Sequence, residues 1–275
     1  MSETVGRGDR SGPEAAGQSA GQSAGSRIAV IAKAVRVLDA VADTPHGMTP
    51  SELAAAIGTN RSTAFRLLTS LESSGGLLRR DPVSGRYRLG LKLLRYGEVV
   101  RGGVGIIGVA EPAMRALGEQ LRQTVYLSIR DGWGATCLHR MSGPEVDVLA
   151  WKTGQWLPLH VGAGPLALLA ALPDREVERY LMLGPERQTR HGIVTPQEIR
   201  VEVGLIRRRG WSLNREALTE GVASLGVVVR DRTDAPICAL SVAGLESRYR
   251  GKELDRTAAT VVDAAAELGR RITGR

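Results

Sequence analysis

Residues 60–74, NRSTAFRLLTSLESS, decide how this chain is to be read. Ala64, Leu67, Leu68 and Leu71 recur at the i, i+3, i+4, i+7 spacing that lines one side of a helix with apolar groups. Ser62, Arg66, Thr69 and Ser73 fall on the opposite side. Asn60 or Thr59 can cap the amino end, whose free N–H groups and positive dipole suit a phosphate. A short, hydroxylic and cationic face of this kind fits the major groove of DNA. Arg66 can fork onto guanine there, and the hydroxyls of Ser62, Thr63 and Thr69 can reach phosphate or base edges. Taken alone, the same pattern also describes an ordinary solvated amphipathic helix, so its neighbours carry the decision.

Upstream, Thr49-Pro50-Ser51-Glu52 is a capping box with proline at the first helical position, followed by Leu53, Ala56 and Ile57 and closed by Gly58. Before it, Ile31, Val35, Leu38 and Ala42 keep helical spacing from Ile28 until Pro45 and Gly47. A short helix, a tight turn and a second helix with a polar outer face form the helix-turn-helix arrangement. Downstream, the period changes after Gly75-Gly76. Leu77–Arg80 and Arg86–Leu89 flank the turn Asp81-Pro82-Val83-Ser84-Gly85, a β-hairpin with Arg79, Arg80, Arg86 and Arg88 on its strands. Such a wing can follow phosphates or enter the minor groove.

Charge supports the reading. Between Arg61 and Arg95 stand eight Arg or Lys against two acids, so this segment supplies most of the net +8 of the 275-residue chain. The expected DNA contacts are Asn60, Arg61, Ser62, Thr63, Arg66, Thr69, Arg79, Arg80, Arg86 and Arg88.

Composition, 43% hydrophobic and 24% charged, suits about two globular domains. No long uncharged apolar run spans a membrane, and the amino terminus lacks the apolar region of a signal peptide. Cys137 and Cys238 lack metal or disulfide spacing and sit in apolar strand-like runs, which fits small buried hydrophobes in a reducing cytoplasm. Residues 1–26 are Gly, Ser, Ala and Gln with scattered charges, and are expected to be a disordered tail.

Residues 27–90 then form the DNA-binding domain, and 91–104 a linker helix and hinge. Leu91, Leu94 and Tyr96 of that helix could face a second copy, since paired half-sites need a dimer. Gly103, Gly105 and Gly108 match a dinucleotide fingerprint, but a polar helical segment precedes them where a buried strand is required, so a hinge explains them better. Residues 105–275 read as an α+β domain. Its expected elements are a helix over 109–122, strands in TVYLSIRDG, ATCLHRM and VDVLAWKTG, helices over 163–171, 175–182 and 196–208, strands over 222–230 and 237–243, and a closing helix over 253–272.

The order of helix, TPSELA helix, NRSTAFRLLTSLE, basic wing, LPLH with small residues, GWS with an acid-rich loop, and LSVAG resembles the IclR family of bacterial transcription regulators over residues 28–272. The resemblance implies a winged helix-turn-helix joined by a linker helix to a GAF-like, antiparallel-sheet effector domain that binds small organic or aromatic acids. It also implies a homodimer or tetramer. Carried over by position, the effector site is Leu149, Ala163, Gly164, Asn214, Ser224 and Ser241. This chain departs from the family pattern in having Pro165-Leu166 where Gly-Lys is common, Ser224 where Cys is common, and Ala243 where a serine is frequent.

No cofactor, metal or catalytic site is expected. His46, His139, His160 and His191 are scattered, Ser224 misses the nucleophile-elbow pattern, and no acid/base pair is identifiable. The reading is a ligand-responsive regulator of a catabolic operon. An enzyme domain fused to a DNA-binding module, or a constitutive architectural DNA binder, are the alternatives.

Overall fold

The computed structural model describes residues 17–144, 147–148, 151–185, 195–215 and 218–274. The first unit, Met1–Gly103, holds helices α1 (Gly17–Ala42), α2 (Pro50–Ile57) and α3 (Arg61–Ser73), the hairpin β1 (Leu78–Arg80) and β2 (Tyr87–Leu89), and most of α4 (Lys92–Val104). Helix α2 starts where the capping box closes in both directions, Thr49 to Glu52, and stops at Gly58, whose left-handed φ of 66° suits glycine. Helix α3 starts where the Asn60 side chain accepts from the Thr63 N–H at 2.8 Å.

Val37, Val41, Leu53, Ile57, Ala64, Leu68, Leu78 and Tyr87 form the core of this unit. A fully buried Leu such as Leu53 or Leu68 contributes about 1.5–3 kcal/mol. The loop before α2 is stitched to the wing by reciprocal Met48–Tyr87 backbone bonds of 2.9 and 2.8 Å. Gly47 permits this approach: its φ is 75°, and a Cβ there would stand 2.5 Å from the Tyr87 carbonyl oxygen.

Two expectations are corrected here. Helix α1 begins at Gly17, inside the stretch expected to be disordered, because extending a helix already anchored by Val37 and Val41 adds one hydrogen bond per residue without a new nucleus. Residues 1–16 lie outside the described residues. The face of α1 that packs inward is Val37, Leu38 and Val41, which leaves Ile31 and Val35 exposed.

The second unit, Val104–Arg275, opens with α5 (Ile106–Leu121) and continues through β3 (Thr124–Asp131), β4 (Gly134–Met141) and β5 (Trp156–Pro158). Helices α6 (Ala163–Ala170), α7 (Asp174–Met182) and α8 (Pro196–Arg209) follow, then β6 (Ser212–Arg215), β7 (Val222–Arg230), β8 (Pro236–Leu245) and α9 (Gly251–Thr273). The expected hinge is narrower than its glycines suggest. Gly102 and Gly103 continue α4, and Gly105, with φ of 52°, alone separates it from α5.

Six strands form one antiparallel sheet in the order β5-β4-β3-β8-β7-β6. Side-chain alternation gives the sheet two buried faces. Val125, Leu127, Leu225, Val227, Leu240 and Val242 meet α5 and α9, whereas Tyr126, Ala239 and Ala243 share a core with α6, α7 and α8. This is the α+β architecture expected, with helices on both faces.

The expected strand VDVLAWKTG is not formed over its described residues. The Val148 N–H donates to the Thr124 hydroxyl at 3.1 Å and its carbonyl accepts from the Tyr126 hydroxyl, so side chains satisfy groups that a ladder would have used. Strand β6 is an addition: four residues, SLNR, that pair with β7 at the sheet edge.

Candidate nucleic-acid interface and ligand pocket

On α3, Arg61, Ser62, Phe65, Arg66 and Ser70 are exposed, and among the described residues the Arg61 and Arg66 guanidinium groups make no hydrogen bond or ion pair. Asn60 is exposed and caps the helix, and Thr63 is half-buried. Thr69, expected on the outer face, is half-buried, with its hydroxyl oxygen shielded from solvent and unpartnered among the described residues. Arg79 and Arg80 are exposed on β1. The Arg80 Nε donates to the Gly85 carbonyl at 3.3 Å, and its guanidinium lies 5.8 Å from the Tyr87 ring centre.

The other two wing arginines are half-buried. Arg86 donates through Nε to the Gly47 carbonyl at 3.0 Å and through Nη2 to both Glu52 oxygens at 2.8 and 2.7 Å. Glu52 also accepts from the Thr49 N–H at 2.8 Å. That backbone bond first, and Arg86 second, hold the Glu52 carboxyl below its usual range. Arg86 therefore ties the wing to the start of α2, a job that contacts 34 residues apart in sequence made unreadable in advance. Arg88 is half-buried, with its Nε shielded and unpartnered among the described residues.

In the second unit, sheet register assembles a pocket. Asn214 stands opposite Ser224, and Ser224 opposite Ala243; one row along, Ser212 stands opposite Gly226, Gly226 opposite Ser241, and Ser241 opposite Tyr126. Directly opposed residues share a face, so both rows look toward α6. The resulting cavity, of about 40 Å³, is lined by Ala163, Gly164, Asn214, Ser224 and Ser241, five of the six residues expected. Leu149 lies outside the described residues.

Tyr126, Val148, Leu218, Thr219 and Val222 also line the cavity and were not anticipated; Tyr126 could have been found only by knowing that β3 pairs with β8. Tyr126 and Trp151 stack with ring centres 5.9 Å apart. Burial pushes the Tyr126 phenol up to about 12, so it is a neutral donor at physiological pH.

The polar groups at the cavity come from backbone and hydroxyls. Gly162, with φ of 89°, precedes α6 without a side-chain cap, and Ala163 and Gly164 of the first turn, whose N–H groups have no partner within the helix, line the cavity. Ser128 is fully buried behind Gly164, and its Oγ has no partner among the described residues. A Cβ on Gly164 would stand 2.9 Å from the Ser128 Oγ and 3.2 Å from the Ser241 Oγ, so the two hydroxyls crowd the start of α6. Among the described residues no cationic side chain lines the cavity. Leu166, where the resembled pattern has lysine, is fully buried in the core. Cys137 and Cys238 are both buried and free.

Comparison with known proteins agrees with this architecture. Residues 30–82 match the IclR helix-turn-helix domain, and residues 100–270 match the bacterial transcriptional regulator IclR C-terminal family. The HTH-type transcriptional regulator KipR of Bacillus subtilis is 28% identical over 243 residues, 88% of this chain and 96% of that protein. The HTH-type transcriptional regulator Rv1719 of Mycobacterium tuberculosis is 32% identical over 228 residues, 83% of this chain and 86% of that protein. Among solved structures, an IclR homologue from Microbacterium hydrocarbonoxydans complexed with 4-hydroxybenzoate superposes with a TM-score of 0.70 at 22% identity, covering 88% of this chain and 98% of that one. With both family matches in chain order on a helix-turn-helix and an antiparallel-sheet domain, the chain belongs to the IclR family of DNA-binding transcriptional regulators.

Proposed function

We propose that this regulator reads its operator with the exposed face of α3 and is switched by a small organic acid held at the start of α6. The observation that supports the ligand class is the uncapped α6 terminus, whose first residues Ala163 and Gly164 line the cavity beside Ser224, Ser241 and Asn214. A helix amino end favours an anion, and with no cation at the cavity wall among the described residues the carboxylate is held by backbone and hydroxyl donors. The Tyr126 and Trp151 rings and Val148, Leu218 and Val222 then enclose an apolar or aromatic body. The 4-hydroxybenzoate complex of the Microbacterium relative supports an acid of that kind. The cavity has room for about three waters as it stands, so an acid of aromatic size requires the flanking apolar side chains to move apart.

The test is thermal denaturation of the full protein with pyruvate, 4-hydroxybenzoate and related acids, each beside its neutral amide. An acid at a hundred times its Kd stabilises the native state by about 2.7 kcal/mol. The expected result is stabilisation by an acid and not by its amide, diminished by Ser241→Ala and abolished by Gly164→Leu. Equal responses to acid and amide, or an acid whose affinity ignores both substitutions, would put the site elsewhere.

On the DNA side, we assign base reading to Arg66 with Ser62, phosphate contact to Arg61, Arg79, Arg80 and the amino end of α3 at Asn60 and Thr63, and a supporting role to Thr69, Arg86 and Arg88. The domain limits we favour are the DNA-binding domain over 27–90, the linker over 91–104 and the effector domain over 105–275. The protein works in the cytoplasm as a homodimer or a tetramer, and its target is a catabolic operon. Self-association is supported by α4, where Leu94 and Val99 are 67% and 69% exposed, and by exposed Val30, Ile31 and Val35 on α1. Light scattering at micromolar concentration should give at least twice the 29.3 kDa chain mass, and Leu94→Glu with Val99→Glu should lower it. A wild-type monomer that binds operator DNA as a monomer would contradict this.

A further inference from the structure

Phe65 is the single phenylalanine of the chain, and 49% of it is exposed. It takes no part in the core of its unit, to which the neighbouring Ala64, Leu67 and Leu68 contribute. With Ser62, Arg66 and Thr69 it completes an i, i+3, i+4, i+7 stripe on α3, so the phenyl ring shares one face with the free Arg66 guanidinium. The Asn60 cap fixes where the helix begins and therefore which way this stripe faces.

Exposing a phenyl ring on a face otherwise built of Ser and Arg is unfavourable in water, and the group has no donor or acceptor for a phosphate oxygen. In the major groove the apolar feature of the base edges is the thymine C5-methyl. Phe65 also lies in the second turn of α3, within the amino-terminal part of a recognition helix that meets base edges. We propose that Phe65 is a specificity-determining residue that packs on the C5-methyl of a thymine next to the base pair addressed by Arg66. The inference rests on the reading that this face of α3 enters the major groove. It adds a second kind of readout, apolar where that of Arg66 is hydrogen-bonded.

Replacing thymine by deoxyuridine removes that methyl and nothing else. The test takes duplexes carrying the consensus selected from a random pool by the full-length protein, and scans each thymine with uracil. Wild type should lose about fourfold in affinity at one position per half-site, near what burying one methyl group provides. Phe65→Ala should bind the thymine and uracil duplexes equally, and Phe65→Leu should retain part of the preference. Because Phe65 stands outside the core, both variants should melt with wild type and keep its oligomeric mass.

A scan with no sensitive thymine, or a preference that survives in Phe65→Ala, overturns the proposal. So does a Phe65→Ala variant that changes oligomeric mass, since the ring would then be covered by another copy of the chain. Failure of the underlying reading is distinguishable: it would leave the selected consensus unchanged in Arg66→Ala as well.

Discussion

Arg66→Ala is expected to erase the preference for one base pair in each half-site while leaving the protein folded. A bidentate arginine–guanine contact discriminates by about 1–3 kcal/mol, or about 2–6 kcal/mol over two half-sites. Arg66 is exposed and uncommitted among the described residues, so its loss removes nothing the fold needs. Arg86→Ala should behave differently. Its guanidinium is bound to Glu52 and the Gly47 carbonyl, so its removal loosens the wing, which the Met48–Tyr87 bonds still hold, and weakens binding to all sequences alike, with the selected consensus unchanged.

Glu52→Gln separates this clamp from a phosphate contact. Removing a negative charge near DNA would by itself strengthen binding. If Glu52 acts by holding Arg86, binding weakens instead. The Glu52 carboxyl is held below 4.5, so its contribution is present above about that pH and is lost only as pH falls through the lowered value. Between pH 6 and 8 the clamp should therefore be constant. Selection from a random duplex pool, with affinities at two salt concentrations, decides both points. An unchanged consensus for Arg66→Ala, or tighter binding by Glu52→Gln, would refute the assignments.

Gly226→Ala is expected to have the largest effect in the second unit. A Cβ there would stand 2.5 Å from the Ala163 carbonyl oxygen and 2.8 Å from the Gly164 nitrogen, backbone atoms that cannot rotate away. The Ser212 hydroxyl ties the same parts together, donating between the Ala163 carbonyl at 2.6 Å and the Gly226 carbonyl at 3.1 Å. Helix α6 must then lift from β7, at about 1–3 kcal/mol for overpacking. The N–H groups at the α6 start move with it. A lowered melting temperature and loss of acid-induced stabilisation should appear together, while DNA affinity without ligand stays near wild type. Full stabilisation by the acid in a variant of wild-type stability would mean that the start of α6 is not the anion site.

Whatever depends on neighbours three or four residues away is written locally in the chain. Thr49 and Glu52, Gly58, and Asn60 with Thr63 set the ends of α2 and α3 through bonds within one helical turn, so the helix-turn-helix was readable before any tertiary contact was known. The wing was readable for the same reason, as its turn lies between two short strands whose extended period contrasts with that of the helix before them.

Local pattern failed where distant groups compete for the same atoms. Thr124 and Tyr126 take the backbone bonds of Val148, and the described residues of VDVLAWKTG form no strand. Glu52 binds Arg86 across 34 residues, a contact that ties the wing to α2 and that no local pattern announces. The pocket shows the division most sharply. Its residue types came from resemblance, but Tyr126 meets Ser241, and Ser224 meets Asn214, only because β3-β8-β7-β6 pair in one register. A shift of one residue would turn those hydroxyls toward α5 and α9. Strand pairing over such separations is a property of the whole sheet, held by burial on both faces, and no stretch of the sequence contains it.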